Sequence, residues 1–173
     1  KGGIGGVKVV FVPEDSEGKP EKANAAIEKL ASVDKIYGLI GGVFSGESLA
    51  IAPRCEAEKI LMMSPSATHK DLTSKGSYIF RDVPSDALQA TVFAKYVRGI
   101  MGIKTVAILY IKNDYSQGLS QEFKSVFEAD GGSVVAMETG LPVDKDFKTQ
   151  LTKIKGLNPE ALFIPNYVAE MAQ

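Results

Sequence analysis

Short apolar runs alternate with amphipathic stretches along most of the chain. The apolar runs have the length of buried strands, and they lie at residues 7–13, 36–40, 60–63, 105–111, 133–139 and 161–165. Apolar residues at helical spacing predict helices at residues 20–31, 48–59, 85–101, 117–129 and 147–155. This regular alternation predicts an α/β fold in which helices flank parallel sheets.

Three local features add detail to this prediction. Pro53 falls inside the second predicted helix, where it is tolerable only near the first turn because it has no N–H to donate. Val92, Tyr96 and Ile100 share one face of the third predicted helix, and we expect that face to be buried. Residues 82–85 interrupt the alternation of strand, hydroxyl-rich loop and helix. The halves on either side of this boundary either share one sheet or form two incomplete lobes.

Two loops rich in hydroxyl groups and small residues each follow a predicted strand. They are Gly41-Gly42-Val43-Phe44-Ser45-Gly46 and Ser64-Pro65-Ser66-Ala67-Thr68. The carboxyl ends of parallel strands meet at one edge of a sheet, which is where open α/β sheets bind ligands. Hydroxyls and free backbone N–H groups stabilise an anion without a fixed countercharge. The two loops therefore predict a site for a carboxylate or another small anion.

Composition and charge exclude several classes of function. The 173 residues are 45% hydrophobic and 24% charged, with a formal net charge of −1, as in an ordinary globular protein. This balance does not indicate a nucleic-acid partner, and no apolar run is long enough to span a bilayer. Cys55 is the single cysteine, so no disulfide can form within the chain. We expect Cys55 to pack as a small apolar residue on a helix face.

No group of residues predicts catalysis. Ser45 lacks the flanking glycines of a Gly-x-Ser-x-Gly nucleophile elbow, and His69, the single histidine, has no serine and carboxylate in an evident triad motif. We expect His69 to be a surface or loop-end residue. The chain has no Walker sequence and no Cys/His cluster with metal-ligand spacing, so we expect no cofactor and no metal.

A series of short motifs runs from one end of the chain to the other. In order they are Gly2-Gly3-Ile4-Gly5-Gly6, Glu14-Asp15, Pro20-Glu21-Lys22-Ala23, Ile40-Gly41-Gly42, Ser45-Gly46, Ala52-Pro53, Ser64-Pro65-Ser66-Ala67-Thr68, Phe80-Arg81, Pro84-Ser85-Asp86, Gln89, Asn113-Asp114-Tyr115-Ser116-Gln117-Gly118, Asp146-Phe147 and Asn166-Tyr167. Each motif is weak alone, and their order is what is specific. Over essentially its whole length the chain resembles type I periplasmic binding proteins, in the branch of Leu/Ile/Val-binding proteins that serve branched-chain amino acid ABC importers.

The resemblance implies two lobes, each a three-layer α-β-α arrangement around a parallel sheet. Residues 1–82 would form part of ligand-binding lobe I and residues 83–173 part of ligand-binding lobe II, with both lobes incomplete in this chain. We therefore expect a fragment that binds ligand weakly or not at all. The resemblance also implies a missing interior strand in lobe I, so self-association of the fragment would cover unpaired strand groups.

The resemblance assigns six residues to the ligand site, namely Ser45, Ser66, Ala67, Thr68, Tyr115 and Tyr167. Ser45 would hold the ligand carboxylate through its side chain and main chain, and Thr68 would touch both charged ends of the ligand. The backbone carbonyl of Ser66 would meet the ligand ammonium. Tyr115 and Tyr167 would close over the ligand from lobe II. Helix capping by Ser45 and Thr68, and rim packing by the tyrosines, are the alternatives.

Some groups of the family's site have no counterpart in this sequence. The resemblance puts the family's acidic partner for the ligand ammonium beyond Gln173 and its lobe I aromatic residue before Lys1. Val168 departs from the second aromatic residue that often follows the position of Tyr167. The side-chain pocket that selects the ligand therefore lies mostly outside the chain.

The function implied by the resemblance is that of the substrate-binding component of an ABC importer. Such a protein binds a small amino acid or a related carboxylate between its lobes and docks on membrane permease subunits. Its location would be the periplasm, or the cell exterior as a lipoprotein. Two alternatives remain open, a ligand-sensing receptor or regulator module of the same fold and an α/β hydrolase-type enzyme that uses Ser45 or His69.

Overall fold

The computed structural model describes residues 3–172, so Gly2 of the first motif lies outside the described part. Its helices are α1 (Pro20–Ser32), α2 (Ser45–Ala57), α3 (Asp86–Lys95), α4 (Asp114–Ala129), α5 (Lys148–Leu157) and α6 (Val168–Met171). Its strands are β1 (Gly38–Ile40), β2 (Leu61–Ser64), β3 (Ile79–Arg81), β4 (Thr105–Ile111), β5 (Ser133–Gly140) and β6 (Ala161–Phe163). Within residues 3–172 no helix combines the length and the apolar content needed to cross a membrane.

The strands form two separate sheets, each with three parallel strands. The first sheet has the order β1-β2-β3 and the second the order β5-β4-β6. The predicted α/β class with helices against parallel sheets is therefore confirmed. The short extended segment before the boundary at residues 82–85 is the edge strand β3 of the first sheet. The division into lobes at residues 82 and 83 stays a prediction.

The first sheet buries one face against α1 and α2. Leu39, Met62 and Ile79 are consecutive partners across the three strands and share this face. They pack in one core with Ile27 of α1 and Ile51 of α2. On the opposite face, side chains of all three strands are exposed to solvent. The carboxyl ends of β1 and β2 thus emerge side by side above a core that holds α2 in place.

The second sheet has helices on both faces. Strand β4 occupies the residues predicted for it and is its central strand. Val106 and Ile108 point into a core with α3 and α4, whereas Ala107, Leu109 and Ile111 point into a second core with α5. A strand covered on both faces reads as a continuous apolar run, because both sets of alternating side chains are buried. This explains why its bounds could be predicted.

The predicted strand at residues 7–13 is wrong. Within residues 3–172 the only pairing of this segment is an isolated bridge between Ile4 and Val7. Val10 and Phe11 are 68% and 81% exposed. An apolar run becomes a strand only when a neighbouring strand accepts and donates its backbone hydrogen bonds, and the described residues place none beside it.

The expectation for Pro53 is also wrong. Helix α2 begins at Ser45, so Pro53 lies in its interior and removes one backbone hydrogen bond. Buried Ile51, Ala52 and Cys55 fix this part of α2 in the first core, and their packing outweighs the lost bond. Cys55 is fully buried as predicted, and burial raises the pKa of its thiol to about 11.

The predicted buried face of the third helix is wrong as well. Val92, Tyr96 and Ile100 are all exposed, and the buried residues include Ala90 and Ala94. The small alanines let α3 pack closely on α4, so the helix turns them inward in place of its larger side chains. The helix also ends at Lys95, and a π-helical turn over Tyr96–Ile100 changes the spacing of the last residues.

Leu119 tests the contribution of the second core to stability. Its side chain is 2% exposed in the cluster between α4 and the sheet. Leu119→Ala should lower the free energy of unfolding by about 2–5 kcal/mol, because it removes buried methyl groups and leaves a cavity. The measurement is urea unfolding followed by circular dichroism. The matched change Leu157→Ala, at a residue 53% exposed, should cost about 1 kcal/mol or less. Equal costs would contradict this account of the core.

Candidate ligand-binding cleft

A cleft of about 330 Å³ lies where the loops after β1 and β2 face the second sheet's helices. It is lined by Val43, Phe44, Ser45, Ser66, Thr68, Gln89, Tyr115, Asn166, Tyr167 and Val168. Five of the six residues that the sequence assigns to the ligand site are in this lining, and the sixth, Ala67, is 1% exposed between two of them. All the lining side chains are uncharged. The cleft can therefore hold an anion only through neutral donors.

The two hydroxyl loops are fastened to each other by serine side chains. The carbonyl oxygen of Gly42 accepts hydrogen bonds from Ser48 Oγ at 2.7 Å and from Ser64 Oγ at 2.5 Å. Both serines are fully buried. Ser66 Oγ donates a further hydrogen bond to the carbonyl of Val43 at 3.0 Å. The loop after β1 and the loop after β2 thus form one unit on the cleft wall.

Gly42 has the backbone conformation that this arrangement needs. Its φ is +61°, which L side chains rarely adopt, and a Cβ atom there would lie 2.3 Å from Ser48 Oγ. The close approach is the same one that lets Ser48 reach the Gly42 carbonyl. A glycine is therefore required both by the backbone angle and by the space available.

Gly42→Ala should lower the free energy of unfolding by at least about 1–2 kcal/mol, because it combines left-handed strain with a collision. Thermal unfolding measures the loss. Gly99→Ala is the matched control, since a Cβ there meets nothing within 4 Å. It should change stability by less than about 1 kcal/mol. The account of the loop would be wrong if both substitutions had the same effect.

Ser45 begins α2 at the edge of the cleft and is 2% exposed. Phe44 precedes it as the N-cap, and its backbone N–H donates to the carboxylate of Glu47 at 3.0 Å. The first N–H groups of a helix have no partner within the helix, and they carry its partial positive charge. The backbone N–H of Ser45 is such a group, and it lies close enough to Tyr167 to oppose the rise in the pKa of Tyr167 that burial causes. This N–H is thus directed across the cleft.

The second side of the cleft is positioned by two asparagines. Asn113 is the N-cap of α4, and its Oδ1 accepts a hydrogen bond from the Ser116 backbone at 2.8 Å, which fixes the turn that carries Tyr115. Asn166 Oδ1 accepts from the backbone N–H of Ile111 at 2.8 Å. This bond ties the turn after β6 to the end of β4, so Tyr167 emerges next to Tyr115.

Three aromatic rings cross the cleft in a row. Tyr167 stacks on Tyr115 with ring centroids 5.0 Å apart, and it meets the edge of Phe44 at 4.9 Å. Phe44 belongs to the loop after β1, so the row joins the two sides. Burial raises the pKa of both tyrosines, which keeps their hydroxyls neutral and able to donate.

Several lining residues were not predicted from the sequence. Phe44 lies in the first hydroxyl loop, but the sequence does not indicate which residues an aromatic side chain in a loop will contact. Gln89 and Asn166 belong to the quoted motifs, and only the structure brings them to the cleft. His69 follows the second loop, as a loop-end histidine should, and packs against Gly118 of α4.

The comparison with protein families identifies the class to which this arrangement belongs. The family described as periplasmic binding protein matches residues 1–173, so the chain belongs to that family. The Leu/Ile/Val-binding protein homolog 3 of Brucella melitensis is 34% identical over 170 residues, covering 98% of this chain and 46% of the relative. The resemblance drawn from the motifs is therefore confirmed.

Solved structures of ABC-transporter binding proteins share the fold. The branched-chain amino acid substrate-binding protein LivJ of Streptococcus pneumoniae, in complex with isoleucine, aligns with a TM-score of 0.82 and 28% identity, over 94% of this chain and 46% of that one. A solute-binding protein from R. palustris, in complex with benzoate, aligns with a TM-score of 0.85 and 26% identity over the same shares. The chain spans about half the length of the relatives it matches.

Proposed function

We propose that this chain belongs to the substrate-binding component of an ABC importer, and that its cleft takes a small amino acid or a related carboxylate. The observation that carries the proposal is that one cleft collects Ser45, Ser66, Thr68, Tyr115 and Tyr167 from distant parts of the chain. Its role is to bind and release a ligand and not to catalyse a reaction. Its partners are membrane permease subunits, and its location is the periplasm or, as a lipoprotein, the cell exterior.

The ligand carboxylate is held by the loops after β1 and β2. The Ser45 backbone N–H, at the positive end of α2, and the Thr68 hydroxyl are neutral donors, as an anion that must later be released requires. Ser66 has its hydroxyl bound to Val43, so it offers the ligand its backbone. Ala67 has only a methyl side chain, so it adds little bulk to this part of the cleft wall.

Tyr115 and Tyr167 cover the ligand from the second side. Tyr167 lies against Phe44, next to the Ser45 N–H that the carboxylate would use. The rings of Tyr115 and Tyr167 pack on the bound ligand. The ligand shifts the equilibrium between open and closed forms only by its different affinity for the two. The closed form presents the surface that permease subunits recognise.

The ligands bound to two related proteins indicate the chemical class of ligand that we propose for this cleft. The S. pneumoniae relative was solved with isoleucine and the R. palustris relative with benzoate. The chemical group common to these two ligands is a carboxylate. An uncharged cleft with hydroxyl and backbone donors suits that common group.

Thr68→Val tests the proposed carboxylate site. The change keeps the shape of the side chain and removes the hydroxyl, so we expect affinity for the best carboxylate ligand of the complete native protein to fall about 10-fold or more. Isothermal calorimetry against a panel of amino acids and aromatic carboxylates measures it. Thr152→Val, at an exposed position of α5, is the matched control and should leave affinity unchanged. A wild-type protein that binds no carboxylate of the panel would contradict the proposed function.

A further inference from the structure

Arg81 ends β3 beside the loop after β2, and the proposed function gives it no role. It belongs to the Phe80-Arg81 motif of the sequence and is the strand partner of Ser64. Its side chain is partly buried. Within residues 3–172 no carboxylate forms an ion pair with its guanidinium. Its donors are instead used on the loop that carries Thr68.

The guanidinium holds the carbonyls of three consecutive residues of this loop. Nη1 donates to the carbonyl of Thr68 at 3.1 Å and to the carbonyl of His69 at 2.7 Å. Nη2 donates longer hydrogen bonds, of 3.5 Å, to the carbonyl of Lys70 and to Thr73 Oγ1. Three consecutive carbonyls can meet one side chain only where the backbone turns around it. This stretch of the loop therefore curls around Arg81.

Other hydrogen bonds fix the backbone on both sides of Thr68. Before it, the backbone N–H of Ala67 donates to Ser64 Oγ at 3.1 Å. After it, the Thr68 carbonyl accepts a second hydrogen bond, from the backbone N–H of Asp86 at 2.8 Å. Arg81 and Asp86 thus hold the same carbonyl from two different elements. Because the backbone is held on both sides, Thr68 has one position from which it lines the cleft.

Arginine and lysine are not equivalent in this task. A guanidinium is a rigid planar fork with five N–H donors, so it can hold several carbonyls at fixed positions. A lysine ammonium carries the same charge on a flexible stem and acts as a single point. If only a positive charge behind the cleft wall mattered, lysine would replace Arg81 without loss. If the positions of the carbonyls matter, it would not.

We propose that Arg81 is a positioning residue of the carboxylate site, whose guanidinium holds the backbone of residues 68–70 so that the Thr68 hydroxyl faces the ligand. The inference rests on the proposed function and deepens it. Arg81 does not line the cleft, so it acts through Thr68 and not by contact with the carboxylate. An incoming carboxylate then meets a hydroxyl that is already in place, and less binding energy is spent on ordering the loop.

Arg81→Lys in the complete native protein is the first test. Isothermal calorimetry uses the tightest binder among L-leucine, L-phenylalanine and benzoate. We expect affinity to fall about 5-fold or more, because lysine keeps the charge but cannot hold the loop. The control is Arg54→Lys, at a residue that forms ion pairs with Glu28 and Glu58 away from the cleft, and it should change affinity less than about 2-fold. An Arg81→Lys protein that binds as tightly as the wild type would overturn the inference and leave the proposed function standing.

A double-mutant cycle separates the positioning of Thr68 from a general structural role. If Arg81 acts through the Thr68 hydroxyl, Arg81→Lys should change affinity less than about 2-fold in a protein that already carries Thr68→Val. A structural role would weaken binding by the same factor in both backgrounds, because it does not depend on that hydroxyl. Equal factors in the two backgrounds would therefore overturn the inference.

A crystal structure of the wild-type complex with the same ligand tests the inference without a variant, and so does not depend on the folding of Arg81→Lys. Arg81 Nη1 should stay within about 3.2 Å of the Thr68 carbonyl oxygen, with the Thr68 hydroxyl at hydrogen-bond distance from the ligand carboxylate. A guanidinium that has left the Thr68 carbonyl, or a hydroxyl turned away from the carboxylate, would overturn the inference. If the wild type binds neither amino acids nor other carboxylates, the proposed function fails, and the inference fails with it.

Discussion

The carbonyl oxygen of Gly42 accepts hydrogen bonds from two buried serines, Ser48 in α2 and Ser64 at the end of β2. This junction fixes the loop after β1 against the loop after β2, and it sets the place where α2 begins. Because α2 begins at Ser45, an N–H group without a helical partner is directed into the cleft. The position of this cleft wall, where we propose that the carboxylate binds, thus depends on one backbone oxygen and on the left-handed turn that presents it.

The two sides of the cleft already touch through aromatic rings. Tyr167 lies between Phe44 on one side and Tyr115 on the other. An anion at the start of α2 would accept a charge-assisted hydrogen bond from the Ser45 N–H, which has no partner within the helix.

Much of the fold could be predicted because periodicity records which residues are covered. Strand β4 is buried on both faces, and its bounds were predicted in full. The face of α3 was not, because Ala90 and Ala94 pack on α4 by being small, and a search for large apolar residues overlooks them. Residues 7–13 carry a strand pattern, but pairing depends on a neighbour that no local pattern reports.

The residues of the candidate site also fall into two groups, those that could be predicted from the sequence and those that could not. Its serines and threonine follow predicted strands, and parallel strands bring their carboxyl ends to one edge, so Ser45 and Thr68 could be placed together from the sequence. Phe44 could not, because its place in a loop does not indicate that its ring lies against Tyr167.

The most direct test of the proposed carboxylate site is a crystal structure of the complete native protein with a carboxylate ligand bound. We expect a carboxylate oxygen of the ligand within about 3 Å of the Ser45 backbone nitrogen. A ligand bound outside the cleft, or one whose carboxylate lies away from Ser45, would contradict the proposed site.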